Sequence, residues 1–241
     1  ALSQPITREC LHKNLGDLFL RHQLNEYGFC MDGRISLCFS LQVITLSSSK
    51  EARLSNNHQS ITEGVAVELF LDAAAEEQVL KFRELIYHEG VKPVQGLMDD
   101  KPHISLAVFP TTDPEKVIGL TREFALSVPR FSFRLGAVGT FPTHDNVLFI
   151  SPVPSVTLLQ VHAEFLARVV AAGIKCSPYY FQGVWVPHLT LEFDISSDEL
   201  CRSMKVFKEF FIPIDGEFTH LGVVQFRPIK YLEQFDLQKG K

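Results

Sequence analysis

The chain has 241 residues, 46% hydrophobic and 21% charged, with a formal net charge of −5 at pH 7 and a pI near 6.0. This is the composition of a globular protein forming one large domain or two small lobes. It gives no general affinity for long nucleic acid, which is held by clustered Lys and Arg, and leaves open a small anionic ligand held by a few aimed donors. Twenty phenylalanines imply a bulky core. Five cysteines (Cys10, Cys30, Cys38, Cys176 and Cys201) are an odd number with no C-x-x-C spacing. They argue against a disulfide framework and a zinc site, and fit a reducing compartment.

The first sixty residues differ from the rest. The chain opens at Ala1 rather than Met, as a fragment or processed form would. A basic segment followed by an apolar one is missing from its start, so the expectation is a cytoplasmic or nuclear protein rather than a secreted one. ISLCFSLQVITL at 35–46 is too short to span a bilayer and reads as a buried strand, so no membrane association is expected. The polar, Ser/Asn-rich stretch at 47–60 reads as a linker. The division expected is an N-terminal extension over 1–60 and the main domain over 61–241.

From Gly64 the pattern becomes regular. VAVELFL at 65–71 is predicted as a buried strand, followed by a helix over 73–88 with apolar Val79, Phe82, Leu85 and Ile86, stopped by Gly90. A strand follows at 103–109, and Asp113-Pro114 caps a helix to about Leu126. Residues 131–141 and 146–153 form a hairpin through Thr-His-Asp-Asn. A helix runs from Ser155 to about Ala172 and ends at Gly173, and a Tyr/Phe-rich loop leads to the strand HLTLEFD. A helix over 197–210 and strands at 218–226 and 229–237 complete the chain. This order is a mixed α/β (α+β) pattern in two similar halves, with helices covering strand-rich layers.

Two stretches carry the chemistry. PHISL at 102–106 and PHLTL at 187–191 share proline, histidine, an aliphatic residue, a hydroxyl residue and leucine, and both open an apolar strand. His-x-Ser/Thr alone is weak, since about one match is expected by chance among nine histidines, and His58 in the linker is that match. Side chains alternate along a strand, so His103 shares a face with Ser105, and His188 with Thr190. Ile104, Leu106, Leu189 and Leu191 point to the opposite side, available for the core. Were the two strands to lie together, two imidazoles and two hydroxyls would converge on one groove. Such a groove suits phosphodiester chemistry: a neutral histidine takes a proton from the attacking oxygen and a protonated one gives a proton to the leaving oxygen. The hydroxyls can donate to non-bridging phosphate oxygens. No metal or other cofactor is needed for this, and no Asp/Glu cluster surrounds the motifs.

On these two motifs and the element order, residues from about Gly64 to Leu237 resemble the two-histidine (2H) phosphoesterase superfamily, nearest its 2′-5′ RNA ligase-like and cyclic nucleotide phosphodiesterase groups. The resemblance implies two pseudo-symmetric lobes of antiparallel-rich sheet covered by helices, with one motif strand from each lobe flanking a central cleft. It implies His103 and His188 as the acid/base pair and Ser105 and Thr190 as phosphate-contacting hydroxyls. It further implies a metal-independent phosphodiesterase, acting on 2′,3′-cyclic phosphates, 2′-5′ linked oligonucleotides or related nucleotides. The expected partner is a nucleotide or an RNA end with a cyclic phosphate, and the expected state is a monomer. The rival readings are a nucleotide or RNA-end binding module without turnover, and a structural domain whose histidines are incidental.

Tyr180 and Trp185, in the aromatic loop before the second motif, are candidates for a nucleobase-stacking face, with aromatic core or a loop lid as the alternative. Lys101 is either near the cleft or a solvated loop lysine. Arg134 and Arg227 line the cleft or meet solvent. His144 and Asp145 read as turn residues, and His220, lacking a hydroxyl two residues on, is left out of the site.

Overall fold

The computed structural model describes residues 64–93, 100–110, 112–141, 143 and 146–239. The strand expected at 35–46, the linker, His58 and the turn residues His144 and Asp145 lie outside the described residues. In chain order the elements are β1 (Gly64–Leu71), α1 (Ala73–His88), β2 (His103–Phe109), α2 (Pro114–Ala125), β3 (Phe131–Thr140) and β4 (Leu148–Pro152). Then come α3 (Val156–Ala171), a short 3₁₀ turn (Pro178–Tyr180), β5 (Leu189–Glu192), α4 (Ser197–Phe210), β6 (Ile214–Phe226) and β7 (Lys230–Asp236). Among the described residues this is an α+β fold with four α-helices and one seven-stranded antiparallel sheet.

Helix ends follow the sequence signals. Asp72 caps α1, accepting from the amides of Ala74 and Ala75 at 3.0 Å, while its other oxygen accepts from Glu217 at 2.6 Å and ties the helix start to β6. Asp113 caps α2 ahead of Pro114, Ser155 caps α3, and Ser196 with Glu199 forms a capping box on α4. Gly90 and Gly173, both at positive φ, follow the ends of α1 and α3.

The strand order is β2-β1-β6-β3-β4-β5, and β6 is its backbone. One edge of this strand pairs β1 from Phe218 to Phe226. The opposite edge pairs β3 over Ile214–Phe218 and then β7 over His220–Gln225. The sheet therefore divides into two lobes that share β6, with β2, β1 and β7 around its C-terminal half and β3, β4 and β5 around its N-terminal half. The motif strands β2 and β5 stand at opposite ends of the strand path, yet they touch each other, so the sheet curls until its two ends meet. Phenylalanines join the covering helices in pairs: Phe82 stacks on Phe207 between α1 and α4 at 4.6 Å, and Phe124 meets Phe165 between α2 and α3 at 5.2 Å.

Candidate active site

Alternation places each motif as expected. Ile104, Leu106, Leu189 and Leu191 are buried in the core, while His103, Ser105, His188 and Thr190 are half-buried on the other face. In β2 the alternation then slips: the β1–β2 register shifts between Val67 and Glu68, and Ala107 and Phe109 join the core with Ile104 and Leu106. His188 lies one residue before β5 rather than inside it.

Both imidazoles are held in the same way. His103 Nδ1 lies 2.8 Å from the Lys101 carbonyl oxygen, and His188 Nδ1 lies 2.7 Å from that of Val186. A carbonyl oxygen only accepts, so Nδ1 carries the hydrogen in both rings, and the lone pair of each neutral ring sits on Nε2. The two rings are close enough that the charge of one lowers the pKa of the other. Each is also flanked by a phenylalanine that lies across a glycine of the next strand. Phe70 meets His103 edge-on at 6.3 Å and covers Gly222; Phe149 meets His188 at 5.5 Å and covers Gly139. A Cβ on Gly222 would stand 2.2 Å from the Phe70 ring, and one on Gly139 would stand 2.7 Å from Phe149, so both strands need glycine there.

The electrostatic surroundings of the two rings differ. His103 Nε2 is 3.4 Å from Glu68 Oε1, and its Nδ1 is 3.7 Å from Asp100 Oδ2. Burial works to lower the His103 pKa, but the charges of Glu68 and Asp100 and the Lys101 carbonyl outweigh it and raise it above the ordinary histidine value. His188 packs against Phe141 at 4.9 Å and against Phe149, and burial is the main cause of its lowered pKa.

The other expected residues gather around Ser105. The Tyr180 phenol hydrogen-bonds to the Ser105 side chain, and burial pushes it up to about 12. The Trp185 indole donates to the Ser105 carbonyl at 3.1 Å and stacks on His162 at 3.7 Å, nearly parallel at 9°. One face of that indole is therefore taken. The Thr190 carbonyl accepts from the Arg83 guanidinium at 2.9 Å, and the same guanidinium donates to the Asp100 carbonyl at 3.1 Å. Arg83 thus ties the loop that leads into β2 to β5 itself.

Glu68 and Arg83 escaped the sequence reading, although each left a trace. Glu68 is the one charge in a strand read as buried throughout, and a fully buried carboxyl needs a reason. Arg83 falls four residues after Val79 and three before Ile86, on the apolar face of α1, and is only 4% exposed. Leu85, expected on that face, is 39% exposed. Lys101 is exposed, with its amine over the Phe70 and Tyr231 rings at 5.8 and 5.5 Å. It lines a groove of about 340 Å³ with Phe70, Arg130 and His220. Arg134 faces solvent, paired with Asp215 at 3.0 Å. Arg227 sits in the β6–β7 turn at φ 60°. His220 is engaged by Asp236 at 3.0 Å and by Thr219. Among the described residues, no cluster of His, Cys, Asp and Glu could hold a metal ion, and no helix is long and apolar enough to cross a membrane.

Comparison with known proteins bears on the fold and the family. No curated protein matches the chain in sequence. In structure it is similar to a solved phosphoesterase, with a TM-score of 0.52 and 20% identity over 73% of this chain and 99% of the other. It is also similar to E. coli LigT, with a TM-score of 0.50 in the apo form (20% identity) and 0.51 in the complex with 3′-AMP (19% identity), over 73% of this chain and 98% of LigT in each case. Likeness at this identity speaks for the fold. The model of the 2′-5′ RNA ligase superfamily matches residues 71–228, a span that holds both motifs, the four helices and strands β2 to β6. The chain belongs to the 2′-5′ RNA ligase superfamily, whose members are two-histidine phosphoesterases.

Proposed function

We propose that the protein is a metal-independent phosphodiesterase that opens 2′,3′-cyclic phosphates or cleaves 2′-5′ linkages in nucleotides and RNA ends. The observation that carries this reading is the paired imidazoles: two strands in contact each bring one ring, locked through Nδ1, with Nε2 left for proton transfer. Water attacks phosphorus opposite the departing ribose oxygen. One Nε2 takes the proton of the water and the other gives a proton to the ribose oxygen, so acid and base both come from the protein. Ser105 and Thr190 donate to the non-bridging oxygens, where charge builds in the transition state. Tyr180 lines the cleft beside Ser105, and a base would stack on the side of the Trp185 indole away from His162. The LigT complex with 3′-AMP is consistent with a nucleotide ligand for this fold. One chain supplies both histidines, so a monomer carries the complete pair.

The test is turnover by wild-type protein, in EDTA, of a 2′,3′-cyclic nucleotide, a short RNA ending in a cyclic phosphate and a 2′-5′ linked oligonucleotide, with products identified by phosphorus NMR. Hydrolysis of at least one compound to a monoester is expected. Tight binding without hydrolysis, undiminished when both imidazoles are removed, would instead favour a binding module for nucleotides or RNA ends.

A further inference from the structure

Burying a carboxyl without full compensation costs several kcal/mol in general, so natural cores keep one only where it is paired or used. Glu68 is 5% exposed, the sole charge in β1, and its Oε2 has no hydrogen-bond partner among the described residues. Its Oε1 approaches His103 at Nε2, the nitrogen left free for chemistry, at 3.4 Å. This contact is longer than an ordinary hydrogen bond. The register shift between Val67 and Glu68 sets this carboxyl opposite Ser105, on the face of the sheet that carries the motif. The second lobe has no counterpart. Counting along the antiparallel pairs, the position matching Glu68 is Phe149, which lies opposite Thr190. Among the described residues, no carboxylate makes an ion-pair contact with His188, which has two phenylalanine rings against it instead.

We propose that Glu68 is a positioning residue that shares one proton with His103 at Nε2, so that His103 enters the reaction as the acid and His188 as the base. The inference rests on the phosphodiesterase reading for its catalytic half. The other groups whose charge or hydrogen bonding bears on the pair are Asp100 and Lys101 before β2, Arg83 on α1, His188 at β5, Tyr180 on the 3₁₀ turn and Tyr231 on β7. Of these, Asp100 favours the imidazolium, while Arg83 opposes it. Burial raises Glu68 to about 7, so near neutral pH the carboxyl and the imidazole titrate together and hold one proton between them. In the reaction the water oxygen bonds to phosphorus as the ribose oxygen leaves. The water proton passes to His188 Nε2, and the shared proton passes from His103 Nε2 to the ribose oxygen. Exchange with solvent then returns the proton from His188 to the Glu68–His103 pair.

Two measurements decide it. The first is an NMR titration of the His103 ring in resting wild-type protein and in Glu68→Gln. His103 should hold its proton to higher pH than an ordinary histidine, and should lose it at lower pH in the variant. The second is the pH profile of kcat/KM. The alkaline limb of Glu68→Gln should move to lower pH, giving roughly a tenfold loss at pH 8.5 and little change at pH 6. Glu68→Asp should restore part of the difference. A wild-type His103 that titrates below the ordinary range would overturn the proposal, even if Glu68→Gln fails to fold. So would a variant with an unchanged His103 titration. If no substrate is turned over, the phosphodiesterase reading fails by itself, while the titration still decides the role of Glu68.

Discussion

Replacing Arg83 by methionine keeps the length of the side chain but removes its donors to the loop before β2 and to β5. The guanidinium is buried and gives hydrogen bonds of 3.1 Å to the Asp100 carbonyl and 2.9 Å to the Thr190 carbonyl. Hydrogen bonds from a charged group contribute about 1.5–3 kcal/mol each, and two stranded carbonyls add to the loss. The expected cost is therefore about 4 kcal/mol. In a domain of this size that lowers Tm by about 10 °C. The assay is urea unfolding followed by circular dichroism, with Arg134→Met as the control. Arg134 pairs with Asp215 at 3.0 Å, but both side chains are more than half exposed, and its removal should cost less than about 1 kcal/mol. Because the Arg83 charge opposes protonation of His103, the methionine variant should also hold the His103 proton to higher pH. A loss below about 1 kcal/mol, or one no larger than that of Arg134→Met, would refute the idea that this side chain clamps the two motif strands together.

Three further outcomes are expected. Gly222→Ala places a Cβ 2.2 Å from the Phe70 ring, which is buried and cannot swing away. It should lower stability by about 1–3 kcal/mol in urea unfolding and, because Phe70 flanks His103, lower activity as well. His162 is 3% exposed, and burial holds it down at about 4 against an ordinary 6.5, so the unfolded chain binds the proton first. Stability should be complete above pH 6.5 and fall by about 3 kcal/mol as the pH drops towards 4. His162→Phe, which keeps the ring against Trp185, should flatten that slope in urea midpoints measured at pH 7 and 4.5. Ser105→Ala and Thr190→Val should each reduce kcat by roughly ten- to a hundredfold while leaving stability within about 1 kcal/mol, as expected for donors that act on the transition state.

Much of the fold was readable in the sequence because local signals and tertiary packing agree. Asp72, Asp113, Ser155 and Ser196 each cap a helix that begins at the next residue, and Gly90 and Gly173 follow the ends of two of them. The start of β6 was less clear. Ile214-Asp-Gly-Glu reads as a turn, yet it pairs in register with Leu135 to Ser132 of β3, so sheet context overrides local preference. At the site, the motif residues were legible because spacing along a strand decides which face a side chain takes. The partners of those residues were not. Glu68, Arg83, Phe141 and Phe149 come from other elements, and it is the curling of the sheet, not spacing, that brings β2 and β5 together. The aromatic loop shows the same limit. Its composition allowed a stacking face or packed aromatics, and only the His162 partner shows that one face of Trp185 is already covered.

The central claim is that one imidazole from each lobe acts on the same phosphodiester. It is tested most directly by kcat/KM in EDTA for wild type, His103→Ala and His188→Ala, on whichever substrate the wild type turns over. General acid or base catalysis by a placed side chain contributes about 10²- to 10⁴-fold, so each variant should lose at least a hundredfold while remaining folded. Retention of a tenth or more of the wild-type rate by either variant would contradict the paired-histidine account.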